Sequence, residues 1–209
     1  MASYRPPSET ALIGKTLKRV VAALRRADVE FALAGSVACW ARGGPPPCND
    51  LDFAIREADG ERALEALAAA GMRTERPPEG WLVKAFDGDV LVDLIFEFEG
   101  IDDVEVLLGR ADYLAVEAVR VRALALDDVM VSKLCALDEH SLDLAMPLQI
   151  ARTLREKIDW PEVRRRTAHS PYARGFLAML EALEIIHPSG VSPAGRLKRE
   201  PRVRVVGEG

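Results

Sequence analysis

Asn49-Asp50-Leu51-Asp52-Phe53-Ala54-Ile55 is the stretch on which the reading turns. A strand repeats its side-chain direction every two residues, so Asp50 and Asp52 leave one face about 6 to 7 Å apart along the chain. Two anionic groups that close favour a divalent cation between them. Upstream, Gly35-Ser36 closes the apolar run 29–34. Downstream, Asp93 is the one charge inside Val90-Leu91-Val92-Asp93-Leu94-Ile95-Phe96. An acid in such a run is costly without a partner or a metal. As a third carboxylate on a neighbouring strand, it would complete a site for Mg²⁺.

Working outward, Leu12, Ile13, Leu17, Val20, Val21 and Leu24 recur at helical spacing and predict an amphipathic helix over 8–28. Residues 29–34 read as a buried strand. A short helix over 37–42 would turn its first amides toward whatever docks at Ser36. The loop 43–49 leads into the acidic strand, and an Ala/Leu helix over 58–71 ends at Gly71. Residues 81–86 and 90–98 predict a hairpin through Asp87-Gly88-Asp89, and 114–121 a short edge strand. From Leu126 the pattern is helical: a helix capped by Asp127, another over 144–158 kinked at Pro147, and two with proline in the first turn, at Asp159-Trp160-Pro161 and Ser170-Pro171. Beyond His187 the chain is rich in Pro, Gly and Arg, with little to bury.

The 209 residues carry 28 Lys/Arg and 33 Asp/Glu, a net charge of −5 with pI near 5.4. The split matters more than the sum. Residues 1–120 have a net charge of −7, whereas 121–209 have +2 and hold Arg152, Arg155, Lys157, Arg164, Arg165, Arg166 and Arg174, then Arg196, Lys198, Arg199, Arg202 and Arg204. Such a half could grip phosphates or simply be a solvated helix surface. Cys39, Cys48 and Cys135 lack CxxC spacing and read as reduced thiols. With no apolar run of membrane length and no apolar leader, the expected location is cytoplasmic. The histidines have no metal-ligand spacing, and Trp40, Trp81 and Trp160 read as packing residues.

The segment Ala34-Gly35-Ser36-Val37-Ala38 … Gly43-Gly44-Pro45 … Asp50-Leu51-Asp52-Phe53, followed by Val92-Asp93-Leu94-Ile95, resembles the signature of the DNA polymerase β-like nucleotidyltransferases. Asp128-Val129-Met130-Val131-Ser132-Lys133-Leu134-Cys135-Ala136-Leu137, then Asp143, is similar to the helical lysine and acid of nucleotidyltransferase toxins of the AbiEii and MenT kind, found in bacterial toxin-antitoxin pairs.

The resemblance implies an α+β fold, a nucleotidyltransferase-like mixed β-sheet with flanking helices followed by a C-terminal helical bundle. Its parts would be a catalytic core over 1–122, a helical region over 123–187 and a basic, mobile tail over 188–209. It implies a Mg²⁺-dependent enzyme that moves NMP from an NTP such as CTP onto RNA, with a tRNA 3′ end as acceptor and a small cognate antitoxin as partner. Asp50, Asp52, Asp93 and Lys133 would be catalytic and the three acids would hold metal, Asp93 alternatively taking the proton of the attacking hydroxyl. Gly35, Ser36, Asn49, Lys133 and Asp143 would bind the nucleotide, Lys133 as a point charge on the triphosphate. Asp143 serves equally well as a helix cap. Two alternatives stand beside this one: transfer to a small hydroxylated molecule, as in aminoglycoside nucleotidyltransferases, and a non-catalytic binding module. Retained buried acids argue against the latter.

Overall fold

The computed structural model describes residues 7–47 and 50–187, with side chains from residue 11 onward. Asn49 and the 188–209 tail therefore lie outside the described residues. Among the described residues, seven strands make one mixed sheet in the order β3-β4-β5-β2-β1-β7-β6. They are β1 Phe31–Leu33, β2 Asp50–Ile55, β3 Arg73–Glu75, β4 Leu82–Asp87, β5 Val90–Ile95, β6 Asp112–Val116 and β7 Val119–Ala123. Two neighbouring pairs, β2 with β5 and β1 with β7, run parallel; the others are antiparallel.

Period-two alternation gives the sheet two unlike faces. Leu51 and Phe53 on β2 pair with Val92 and Leu94 on β5, and all four are buried. Helices α1 Pro7–Arg26 and α3 Gly60–Ala69 cover that side. The expected stripe of α1 supplies Ile13, Leu17, Val20, Val21 and Leu24, none more than 3% exposed. Burial of each is worth roughly 1.5–3 kcal/mol, enough to dock the helix. The opposite face carries Asp50, Asp52 and Asp93, only partly buried as residues.

The remaining helices are α2 Gly35–Trp40, α4 Val104–Arg110, α5 Leu126–Cys135, α6 Ala145–Leu154, α7 Trp160–Arg166 and α8 Pro171–Ala182. Helix α5 is central among them, burying Leu126, Asp128, Val129, Met130, Val131 and Leu134 against α2, α6, α7 and α8. The two proline-marked starts form as expected. Asp159 accepts from the Glu162 N–H at 3.1 Å and Ser170 from the Ala173 N–H at 3.2 Å.

Three local expectations are corrected. The stretch 114–121 is not one strand but parts of the β6–β7 hairpin, turning at Glu117 and Ala118 with φ of 49° and 63°. Neither residue is a usual turn former, so no local signal marks the turn. Pro147 falls in the first turn of α6, where a missing N–H breaks no helical bond, so no kink is needed. Asp127 does not cap α5, whose N-cap is Ala125; its carboxylate accepts from the Asp159 N–H at 2.8 Å and ties α5 to the start of α7. Short β3 and α4 had no sequence expectation at all.

Candidate active site

Strand β2 sets Asp52 beside Asp93 of β5 as parallel register partners, with Asp50 two residues back on the same face. Strand β1 then delivers the phosphate-cradle candidate to the same place. The Ala34 N–H donates to the Asp52 carbonyl at 2.8 Å, and the chain turns at Gly35 with φ +48°. A Cβ on Gly35 would lie 1.8 Å from Asp52 Oδ2, so the turn admits glycine alone on both conformational and steric grounds. Buried Ser36 opens α2, and its backbone N–H donates to the Asp52 carboxylate.

Burial, and next the charge of Asp50, push the Asp52 carboxyl up to about 6, while Lys133 and the Ser36 N–H pull the other way. Burial also raises Asp93, with Asp50 adding and Lys84 opposing. Lys84 Nζ lies 3.8 Å from Asp93 Oδ1. Among the described residues, Asp50 Oδ1 and Asp93 Oδ1 are buried with no hydrogen-bond partner. Buried acceptors left unpaired are costly, which makes them candidates for a ligand.

Among the described residues, no three His, Cys, Asp or Glu side chains close into a metal cage. The donor set nonetheless fits Mg²⁺. That ion takes hard oxygens, commonly one or two carboxylates completed by substrate phosphates and water, so a dedicated protein cage is not required. Asp50 and Asp52 supply such oxygens, and two of the acids carry one that is otherwise unused.

A cleft of about 690 Å³ opens beside Asp52 and Gly35. Helix α5 lines it with Asp128, Val129, Ser132, Lys133 and Ala136, and the charge of Lys133 reaches Asp52. The facing wall is the turn after β5, with Glu97, Glu99, Asp102 and Asp103. Gly100 seats this wall against α5, for a Cβ there would meet Cys135 Sγ at 2.5 Å. Trp81, read from the sequence as a packing residue, stands at the same cleft and is 41% exposed. Deep in the cleft, fully buried Asp128 is paired with Arg110 at 3.1 Å and Arg166 at 2.5 Å.

Other sequence candidates fall elsewhere. Asp143 does not line the cleft; its Oδ1 accepts from the Ala145 N–H at 2.9 Å, just ahead of α6, whose N-cap is Leu144. Arg42 serves the fold by donating to the carbonyls of Ala38 and Ala123. The basic cluster is largely engaged within the protein. Arg155 pairs with Glu156, Arg164 with Glu181, Arg165 with Glu162 and Arg166 with Asp128, while Lys157 donates to the Arg42 carbonyl and Arg174 to that of Ala168. The sequence singled out neither Lys84 nor the four acids of the wall, and Trp81 only as a packing residue. Only Lys84 had a usable signal, because a two-residue turn at Gly88-Asp89 forces it opposite Asp93.

No family model matches the sequence, and no curated protein is similar to it. Solved structures do match. The antibiotic-resistance factor ANT(2'')-Ia in solution aligns with a TM-score of 0.52 at 15% identity, covering 83% of this chain and 94% of that one. ANT(2'')-Ia crystallised with adenylyl-2''-tobramycin gives 0.51 at 16% identity, covering 83% and 92%. A tRNA nucleotidyltransferase with primer tRNA and an ATP analogue aligns more loosely, at 0.38 and 12% identity over 79% and 60%. The chain thus has the nucleotidyltransferase-like fold that the sequence implied.

Proposed function

We propose that this protein is a Mg²⁺-dependent nucleotidyltransferase that moves NMP from an NTP onto a hydroxyl of a small, amine-bearing acceptor. The supporting observation for the transfer is the register of Asp52 with Asp93 beside the Gly35 turn. The reaction is an in-line displacement at the α-phosphorus that needs positioning and charge neutralisation more than covalent chemistry. Asp50 and Asp52 would hold the ion, which when bound neutralises phosphate charge and polarises the reacting group. Gly35 lets the backbone come close to the triphosphate, and Ser36 offers its hydroxyl. Lys133 adds a point charge on the leaving side. Asp93, its affinity for protons raised by burial, accepts the proton of the attacking hydroxyl or supports a second ion.

The acidic wall supports the choice of acceptor. Glu97, Glu99, Asp102 and Asp103 beside Asp52 attract ammonium groups and repel a phosphate backbone. The fold's likeness to ANT(2'')-Ia, seen with adenylylated tobramycin, points the same way. A second reading keeps the chemistry and takes RNA, such as a tRNA 3′ end, with CTP among the donors and a small antitoxin as partner in a toxin pair. Its support is the resemblance to AbiEii and MenT toxins and the basic residues between Arg196 and Arg204.

One labelling experiment separates them. Each of the four labelled NTPs is incubated with the protein, Mg²⁺ and either a panel of aminoglycosides or total tRNA. Label on the small molecule supports the first reading, and label on RNA the second. If no NTP labels either acceptor, both fall.

A further inference from the structure

Three charged side chains stand in a row across the sheet. Lys84 on β4 is the register partner of Asp93 on β5, and Asp93 is that of Asp52 on β2. Register partners share a face, so the row reads plus, minus, minus, with Asp50 alongside. The Lys84 and Asp93 side chains are only 26% and 17% exposed. Their 3.8 Å separation makes an ion pair but is too long for a hydrogen bond, and the same Asp93 oxygen is buried without a donor. Lys84 therefore compensates charge without saturating the oxygen. The second lysine, Lys133, acts on Asp52 from α5 rather than on Asp93.

We propose that Lys84 is a positioning residue, an internal counterion that steadies Asp93 while the site is empty and gives it up when a divalent ion arrives with the nucleotide. This rests on the reading of Asp50, Asp52 and Asp93 as holders of that ion. Three carboxylates on one floor repel one another unless a cation stands among them. An ammonium on a long flexible stem supplies that cation and can swing aside. An ion entering alone meets a resident positive charge and binds weakly. An ion entering with a polyphosphate brings the negative charge that draws Lys84 off Asp93. The inferred device thus couples ion binding to nucleotide binding, so that Asp93 faces a cation in either state.

The test uses the full-length protein and Mn²⁺ as probe, with free ion followed by electron paramagnetic resonance, with and without a non-hydrolysable NTP analogue. Lys84→Met is expected to bind Mn²⁺ alone about tenfold more tightly than wild type, the order of effect for removing one nearby charge in a polar site. Lys84→Arg should behave as wild type, and Asp50→Asn should lose the ion. The metal-free melting temperature of Lys84→Met should fall, and saturating Mn²⁺ should restore it. Unchanged or weaker Mn²⁺ binding by Lys84→Met, with wild type binding the ion in the presence of nucleotide, overturns the role of Lys84 alone. Failure of wild type to retain Mn²⁺ even with nucleotide overturns the nucleotidyltransferase reading as well. Lys84→Gln serves as the charge-removing variant should Lys84→Met not fold.

Discussion

The Cβ that Gly35 lacks would lie 1.8 Å from Oδ2 of Asp52. Glycine here is as much a part of the acid's position as the strand that bears it. Gly35→Ala must shift either the turn or the carboxylate, on top of about 1 kcal/mol for a left-handed L-residue. We expect NMP transfer to fall at least a hundredfold and thermal stability to drop, read by initial rates and calorimetry. Full activity in a folded Gly35→Ala protein would refute the close approach.

Asp52→Asn separates function from stability. Transfer should fall about a thousandfold or more, the scale of losing a principal electrostatic contact, while the melting temperature at pH 7.5 should hold or rise because one of three mutually repelling acids is gone. A parallel loss of stability and activity would mean that Asp52 is a structural residue.

The raised Asp52 carboxyl also fixes a pH dependence. Its folded value of about 6 lies above the ordinary 3.8, so between these values the folded state binds more protons than the unfolded state. Its contribution to stability is therefore present below about pH 4 and lost as pH rises through 6, on the order of 2–3 kcal/mol. Subtracting Asp52→Asn from wild type in metal-free denaturant titrations at pH 5 and 7.5 should isolate this term. A difference that does not change with pH would contradict it.

The cleft wall should act on affinity rather than on turnover. With Glu97 and Glu99 both changed to Gln, KM for a cationic acceptor should rise about tenfold at low salt with kcat little altered, and the gap should shrink at high salt as screening takes over. An RNA acceptor would show the reverse, a lower KM.

Asp128→Ala should be the most damaging single change to the fold. It leaves the Arg166 side chain, only 16% exposed, without its partner and frees Arg110 as well, removing the ion pairs that tie α4 and α7 to Asp128 of α5. Removing one member of such a buried pair costs about 3–5 kcal/mol. Urea unfolding would detect it; a loss under 1 kcal/mol would show that the arginines find other acceptors.

What could be read from the sequence follows the range of the physics involved. Asp50, Asp52 and Asp93 were legible because alternation within a strand is local and an acid in an apolar run stands out. The helix starts at Asp159 and Ser170 were legible for the same reason, since a cap and a proline act within four residues. Lys84 was reachable by counting across the Gly88-Asp89 turn, yet a lysine on an amphipathic strand attracts no notice. Glu97, Glu99, Asp102 and Asp103 look like any surface turn. Only the packing of that turn against α5 makes them a wall. Asp143 shows the converse: the resemblance implied a nucleotide contact and the sequence equally a helix cap, and its carboxylate accepts from the Ala145 N–H at the start of α6.

Gly100 and Cys135 pack so closely that a Cβ on the glycine would meet the thiol sulfur at 2.5 Å, so the acid-bearing turn has no room for a side chain there. A maleimide or an oxidant acting on Cys135 would therefore add bulk beneath the acidic wall of the cleft. Sensitivity to sulfhydryl reagents, usually taken as the mark of a nucleophilic cysteine, would here report a crowded packing contact.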